Sequence, residues 1–218
     1  MNLKSMTWIA ARPLVASLLM GMTIGIPAPW AQTVLDEWGS VQAPKAPEAQ
    51  AVTVTAGKTV LMLMDFNKVS CIPERRARCA AVVPKLQKLL TEARAKGMLV
   101  VHTLSGTTTP ADMLPALAPL PGERVVNAPI DKFYGTDFEQ VFKSKGIDTI
   151  LLTGTSANGA VIFTAGGAAV RGFKVVVPVD GMPADTTYQE QFTVWNLVNG
   201  PTVREQTKLT TLDRVKIQ

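Results

Sequence analysis

The chain has 218 residues, 47% of them hydrophobic and 18% charged. That length suits one domain or a domain with an extension, and the apolar share excludes disorder for most of it. The formal charge is +5, and no Lys/Arg run is interleaved with aromatics, which argues against nucleic-acid binding. The excess reads as solvated surface that favours anionic ligands.

Lys4 and Arg12 precede an apolar run from Leu14 to Ile26, and small residues follow at Ala28 and Ala31. This is the pattern of a secretory signal, with cleavage expected at Ala31–Gln32. The run is shorter than the ~20 apolar residues that a membrane-spanning helix needs. Residues 1–31 are therefore expected to be removed from an exported protein, periplasmic or secreted, with no membrane attachment afterwards. In such an oxidising compartment the pair Cys71 and Cys79 reads as a disulfide. The alternative, Cys71 as a displaced nucleophile, requires a free thiol.

Residues 32–57 are rich in Pro, Ala, Glu and Gln. They read as an extended arm without a core of its own, wrapping the domain or a partner subunit. Residues 59–65 (TVLMLMD) form an apolar run ending in an acid, which suits a strand covered on both faces. Val82, Leu86, Leu89, Leu90 and Ala93 recur at helical spacing, with Gly97 as a stop. A second strand is predicted over 98–104, then a long loop over 105–122 and a short strand at 124–126. Thr136-Asp-Phe-Glu139 has the form of a capping box opening a helix. Strands at 148–154 and 173–180 flank a nearly all-apolar helix over 159–171. A helix at 187–199 and a last strand near 208–216 complete the series.

Strands alternating with helices predict an α/β domain over 58–218: three layers, α/β/α, with a mostly parallel sheet. In open sheets of this kind ligands bind beyond the carboxyl ends of the strands. That rule points to Asp65, the loop after Leu104, Thr153–Gly159 and Asp180. A carboxylate such as Asp65, set after an apolar run, is partly desolvated and suited to acid–base work, though a cap or loop acid reads equally well. Lys132 precedes the capped helix, where it can pair with Asp65, bind an anion or simply face solvent. The stretch Gly154-Thr-Ser-Ala-Asn-Gly-Ala160 lets backbone approach a ligand, and amides at a helix start are free donors for an oxyanion. The bland alternative is tight helix–sheet packing, the role expected of Gly166 and Gly167.

Asp65 after its strand, Lys132 before Phe-Tyr-Gly-Thr, the run 153–165 and the stretch from Arg171 to Asp180 together resemble the isochorismatase-like, or cysteine hydrolase, superfamily. The resemblance covers most of residues 58–185. It implies an Asp–Lys–Cys site in amidase members, with Asp65 and Lys132 at the first two positions and Ala160 at the third. A methyl group cannot attack a carbonyl, so the acyl-enzyme route is closed there. The resemblance further implies a cis peptide at Thr155–Ser156, and an oxyanion or ligand cradle from Thr155, Ser156, Asn158, Gly159 and the Ala160 amide. True isochorismatases also lack the cysteine; they cleave a vinyl ether, the acid protonating substrate. An oligomer and a small-molecule substrate are implied in the same way.

No cofactor signature is present, and no metal is expected: nicotinamidases use an Asp-x-His-x-His cluster, whereas the sole histidine here is His102, which reads as a packed strand residue. Three functions follow. The first is a hydrolase using Asp65 and Lys132 without covalent catalysis, with Arg75, Arg76 or Arg124 as a second anion contact. The second is a catalytically degenerate binding protein. The third is an amidohydrolase with Ser156, Thr155 or Cys71 as substitute nucleophile.

Overall fold

The computed structural model describes residues 33–218. The expected signal segment, 1–31, lies outside the described residues, as does the expected cleavage point. Residues 33–45 group separately from the folded unit Ala46–Gln218. In the former, the Asp36 carboxylate closes an exposed turn by accepting from Thr33 N–H and Oγ1 at 2.8 and 2.9 Å.

The folded unit is built on a six-stranded sheet. Strand β1 (Val52–Val54) lies outside it. Strands β2 (Thr59–Met64), β3 (Leu99–Leu104), β4 (Arg124–Asn127), β5 (Thr149–Gly154), β6 (Lys174–Pro178) and β7 (Thr207–Thr210) run in the order β4-β3-β2-β5-β6-β7. Every pairing in it is parallel. All six residues of β2 are buried, which is why its sequence is a continuous apolar run rather than an alternating one.

Helices α1 (Ala77–Ala95), α2 (Phe138–Ser144), α3 (Ile162–Val170), α4 (Thr187–Asn199) and α5 (Val203–Gln206) complete the unit, with strand β8 (Val215–Ile217). Successive residues of a strand face opposite sides, so β2 feeds two cores. Met62 and Met64 pack with Phe138, Phe142, Ala165 and Leu197 from α2, α3 and α4. Leu61 and Leu63 pack with Val82, Leu86, Leu89 and Leu90 of α1. Each such buried Leu or Phe contributes about 1.5–3 kcal/mol, and a truncation such as Leu90→Ala costs about 2–5 kcal/mol.

Four local expectations are corrected. The capping box at Thr136–Glu139 does not form: Thr136 Oγ1 donates to the Lys132 carbonyl at 2.7 Å, and Glu139 is drawn to Lys143 and Arg171. A box forms instead at Thr186 and Gln189, opening α4. The last strand is split by a turn at Leu212–Arg214, and β8 leaves the sheet to pair in parallel with β1. That pairing buries Val54 and Ala56, so the end of the expected arm belongs to the domain, which begins at Ala46 rather than 58. Finally, only one of the two α3 glycines is there for packing. A Cβ at Gly167 would lie 2.5 Å from the Asp131 carboxylate, whereas one at Gly166 would meet nothing within 4 Å.

Candidate active site

Asp65 stands where β2 ends, at the centre of the carboxyl rim. Its φ is 59°, in the left-handed region that non-glycine residues seldom occupy and that clusters at functional sites. Its N–H bonds the Thr103 carbonyl of β3 at 3.0 Å, and Thr103 Oγ1 donates to Oδ1 at 3.1 Å. Lys132 Nζ donates to Oδ1 and Oδ2 at 3.0 and 2.9 Å and to the Ala128 carbonyl at 3.2 Å. Those bonds use all three ammonium hydrogens. Lys132 is fully buried and Asp65 is 5% exposed. A buried lysine of this kind is tolerated because its charge is paired and its donors are satisfied.

The turn after β5 meets the same place. Thr155 N–H bonds the carbonyl of Met64, the residue before Asp65, at 3.0 Å, and the Thr155–Ser156 peptide is cis. The close approach of β5 to β2 explains Gly154: a Cβ there would lie 2.7 Å from that of Met64. From Ala157 to Val161 the backbone makes a wide π-type turn, broken at Gly159 with φ −124° and ψ −109°, before α3 begins. The Gly159 N–H donates to the Ser156 carbonyl at 3.0 Å, so that amide is committed within the turn. Ser156 and Asn158 are half-buried in it. Ala160 is buried in the apolar cluster that holds Met64 and Phe133. It lies one turn ahead of Thr164, whose Oγ1 accepts the Lys132 N–H at 3.2 Å. Asp65 and Lys132 thus touch directly; Thr155 ties the turn to the residue before Asp65, and Thr164 ties helix α3 to Lys132.

Other sequence candidates fall elsewhere. Arg124 stands at the amino end of β4, paired with Asp137 and stacked 5.2 Å from the Phe138 ring centroid. It is therefore at the wrong end of the sheet to contact a ligand at Asp65. Asp180 is spent on Lys85 at 3.1 Å and the Leu212 N–H at 2.8 Å. Arg75 is largely in solvent, 3.2 Å from Asp185. Cys71 and Cys79 are joined in a disulfide with Cα atoms 5.3 Å apart, which closes the route through a Cys71 thiolate. His102 is fully buried, its Nε2 2.9 Å from Glu123. Among the described residues no group of three or more His, Cys, Asp or Glu is placed to hold a metal, and no helix is long and apolar enough to cross a membrane.

Sequence reasoning did not anticipate two features. Arg76 is buried beside Thr155, with its guanidinium on Asp185. Burial pushes the Asp185 carboxyl up, but Arg76 and Arg75 outweigh it and hold the group below its ordinary range. Glu123 likewise joins Arg94 to His102. Burial raises its carboxyl, yet the bonds from Arg94, the Leu120 amide and His102 bring it down to about 2. Burial lowers the His102 imidazole, only partly offset by Glu123. Neither cluster has a local signal, because its members are far apart in the chain.

Comparison with known proteins accords with this arrangement. The family profile described as "Isochorismatase domain" matches residues 59–208. An N-carbamoylsarcosine amidase from Arthrobacter sp is 31% identical over 125 residues, covering 44% of this chain and 47% of that protein. The chain spans less than half the length of the curated relatives it matches. Among solved structures, an isochorismatase-like hydrolase from Alkaliphilus metalliredigens is 26% identical with a TM-score of 0.64, covering 72% of this chain and 96% of that one. An N-carbamoylsarcosine amidase from Thermoplasma acidophilum, at 20% identity, TM-score 0.60 and 72% and 97% coverage, shares the fold. With the profile running from β2 into β7 over the whole central sheet, the chain belongs to the isochorismatase-domain family.

Proposed function

We propose that this protein is a hydrolase of a small, anionic molecule that works by acid–base chemistry at Asp65 and Lys132 without a covalent intermediate. The observation that carries this reading is the buried Asp65–Lys132 pair at the centre of the carboxyl rim. Among the described residues Asp65 Oδ2 accepts from Lys132 alone, which leaves lone-pair capacity for a water or substrate proton. Asp65 takes a proton from the attacking water and hands it to the departing nitrogen or oxygen. Lys132 holds the carboxylate in place and supplies positive charge close to the reacting group. Free amides of the 157–160 turn face the developing oxyanion. Ala160, at the position that the family resemblance gives to the nucleophile, offers only a methyl group, so water must attack directly. The Arthrobacter relative supports carbamoyl or amide compounds as the first class to try.

The test is a panel of N-carbamoylsarcosine, other N-carbamoyl amino acids, primary amides and enol ethers. Turnover by the native protein should fall by at least about 10³-fold in Asp65→Asn, with no covalent adduct detected by mass spectrometry. An unaffected variant removes Asp65 from the mechanism. An adduct on Ser156 or Thr155 identifies a substitute nucleophile. A silent panel accompanied by ligand-induced thermal stabilisation identifies a binding protein.

Two further parts of the reading concern setting. Export is supported by the signal-like sequence of residues 1–31 and the disulfide, and N-terminal sequencing of the mature protein should begin at Gln32. Self-association is supported by Tyr188, Phe192 and Trp195, all exposed at helical spacing on one face of α4. Light scattering should give more than one chain's mass.

A further inference from the structure

Arg76 is 6% exposed, while its neighbour Arg75 keeps 57% of its side chain in solvent. It lies between the two half-cystines, and its guanidinium joins three separate segments. Nη1 donates to the Ser70 carbonyl at 3.0 Å and to Thr155 Oγ1. Nε and Nη2 reach Asp185 Oδ1 at 2.7 and 2.6 Å. Three of its five N–H groups are hydrogen-bonded within the protein and Nη2 is ion-paired with Asp185, so Arg76 is not built as the second anion contact that its charge suggests. Its reach is inward, to the protein. Thr155 is held from both sides, by Arg76 through the hydroxyl and by Met64, next to Asp65, through the N–H.

The segment that delivers Arg76 is fixed at both ends. Asn67 Oδ1 accepts the Val69 and Ser70 amides at 3.0 and 2.8 Å, and the Asn67 carbonyl accepts the Cys71 N–H at 2.9 Å. Cys79 lies in the first turn of α1. The Cys71–Cys79 bond closes the loop between these anchors, which restricts the loop and pre-orders a side chain that otherwise has many rotamers.

We propose that Arg76 is a positioning residue for the candidate site. Held by the disulfide loop, it fixes Thr155 and so sets the 155–161 turn against Asp65. The proposal rests on the hydrolase reading of that turn. It gives the disulfide a role beyond stability: reduction releases the loop, and the turn loosens with it.

Hydrogen exchange of the full protein, followed by mass spectrometry, tests this directly. The oxidised protein, the same protein reduced with a phosphine, Arg76→Met, Arg76→Lys and Thr155→Val are compared. Exchange of the bonded amides of the turn, at Thr155, Gly159 and Val161, should rise on the order of tenfold in Arg76→Met and in the reduced protein, while the middle of β2 and β5 keeps its protection. Arg76→Lys keeps the charge for Asp185 but not the fork, and should leave the turn loose. Reducing Arg76→Met should add little, since the link is already cut. On any panel substrate that is turned over, kcat should fall with KM little changed, as expected for amides acting on the transition state. A turn that exchanges as in the oxidised native protein after reduction or in Arg76→Met overturns the proposal. If Arg76→Met does not fold, the reduced protein and Thr155→Val decide the matter. A loosened turn with a silent panel removes the hydrolase reading and keeps the positioning role; an active panel with unchanged exchange does the reverse.

Discussion

Two carboxylates are enclosed at opposite ends of the sheet, and the protein treats them differently. Glu123, just before β4, is saturated: Arg94 takes both oxygens at 2.8 Å, and the Leu120 amide and His102 add bonds of 2.9 Å. Asp65, just after β2, receives Thr103 and Lys132, and the Lys132 bond alone on Oδ2. Glu123 sits where strands begin and clamps α1 to the sheet edge. Asp65 sits where strands end, beside a turn of small residues, on backbone with positive φ. Burial and pairing are common to both, so neither identifies a working acid. Spare hydrogen-bonding capacity and location at the carboxyl rim are what set Asp65 apart from Glu123.

The comparison breaks most sharply on Lys132. Lys132→Met isolates the Asp65 carboxylate in a dry site and should destabilise the protein by about 3–5 kcal/mol. Adding Asp65→Asn should recover much of that loss while turnover stays absent. Chemical denaturation of the two single variants and the double variant measures the coupling. If Lys132→Met is neutral, the pair is not energetically enclosed, and the contrast with surface pairs fails.

Glu123→Gln comes next, with an expected loss of about 2 kcal/mol at neutral pH and no loss of turnover. Its sign is fixed by pH. The folded Glu123 carboxyl is near 2 against an ordinary 4.5, so its stabilisation is present above about 4.5 and is lost as pH falls towards 2. The folded His102 imidazole is lowered from 6.5. The unfolded chain therefore takes up that proton first, and stability declines once pH drops below about 6.5. The Tm should fall in two stages on acidification, and Glu123→Gln should shrink the lower one. A Tm that rises between pH 7 and 5 contradicts the His102 assignment.

The smallest effect sharpens the comparison from outside. Glu139 pairs with Lys143 at 2.6 Å and with Arg171 at 3.1 Å, but on the surface. Glu139→Gln should leave both Tm and turnover unchanged within error, since exposed pairs contribute little.

Most of the sheet was legible because each strand carries its own burial pattern. Residues 60–64 are apolar throughout since β2 is covered on both faces, and helix α4 spans the expected 187–199. Asp65 and Lys132 were readable because a chain-order motif places them. What was not readable depends on partners far away. Thr136 and Glu139 have the spacing of a cap, but Lys132, Lys143 and Arg171 compete for them. Arg76 looks like a surface charge until the disulfide loop turns it towards Thr155 and Asp185. The last strand reads as one run, because only the third dimension shows that β8 pairs with β1 and not with the central sheet.

That late partnership orders assembly in time. β2 and its neighbours β3 and β5 lie within residues 59–154, so the centre of the sheet needs nothing from the last strand. β1 precedes them all, yet Val52 waits for Val215 and Val54 for Ile217. Contacts this remote along the chain are slow to close. Until β8 closes against it, the backbone edge of β1 and the apolar side chain of Val54 stay open.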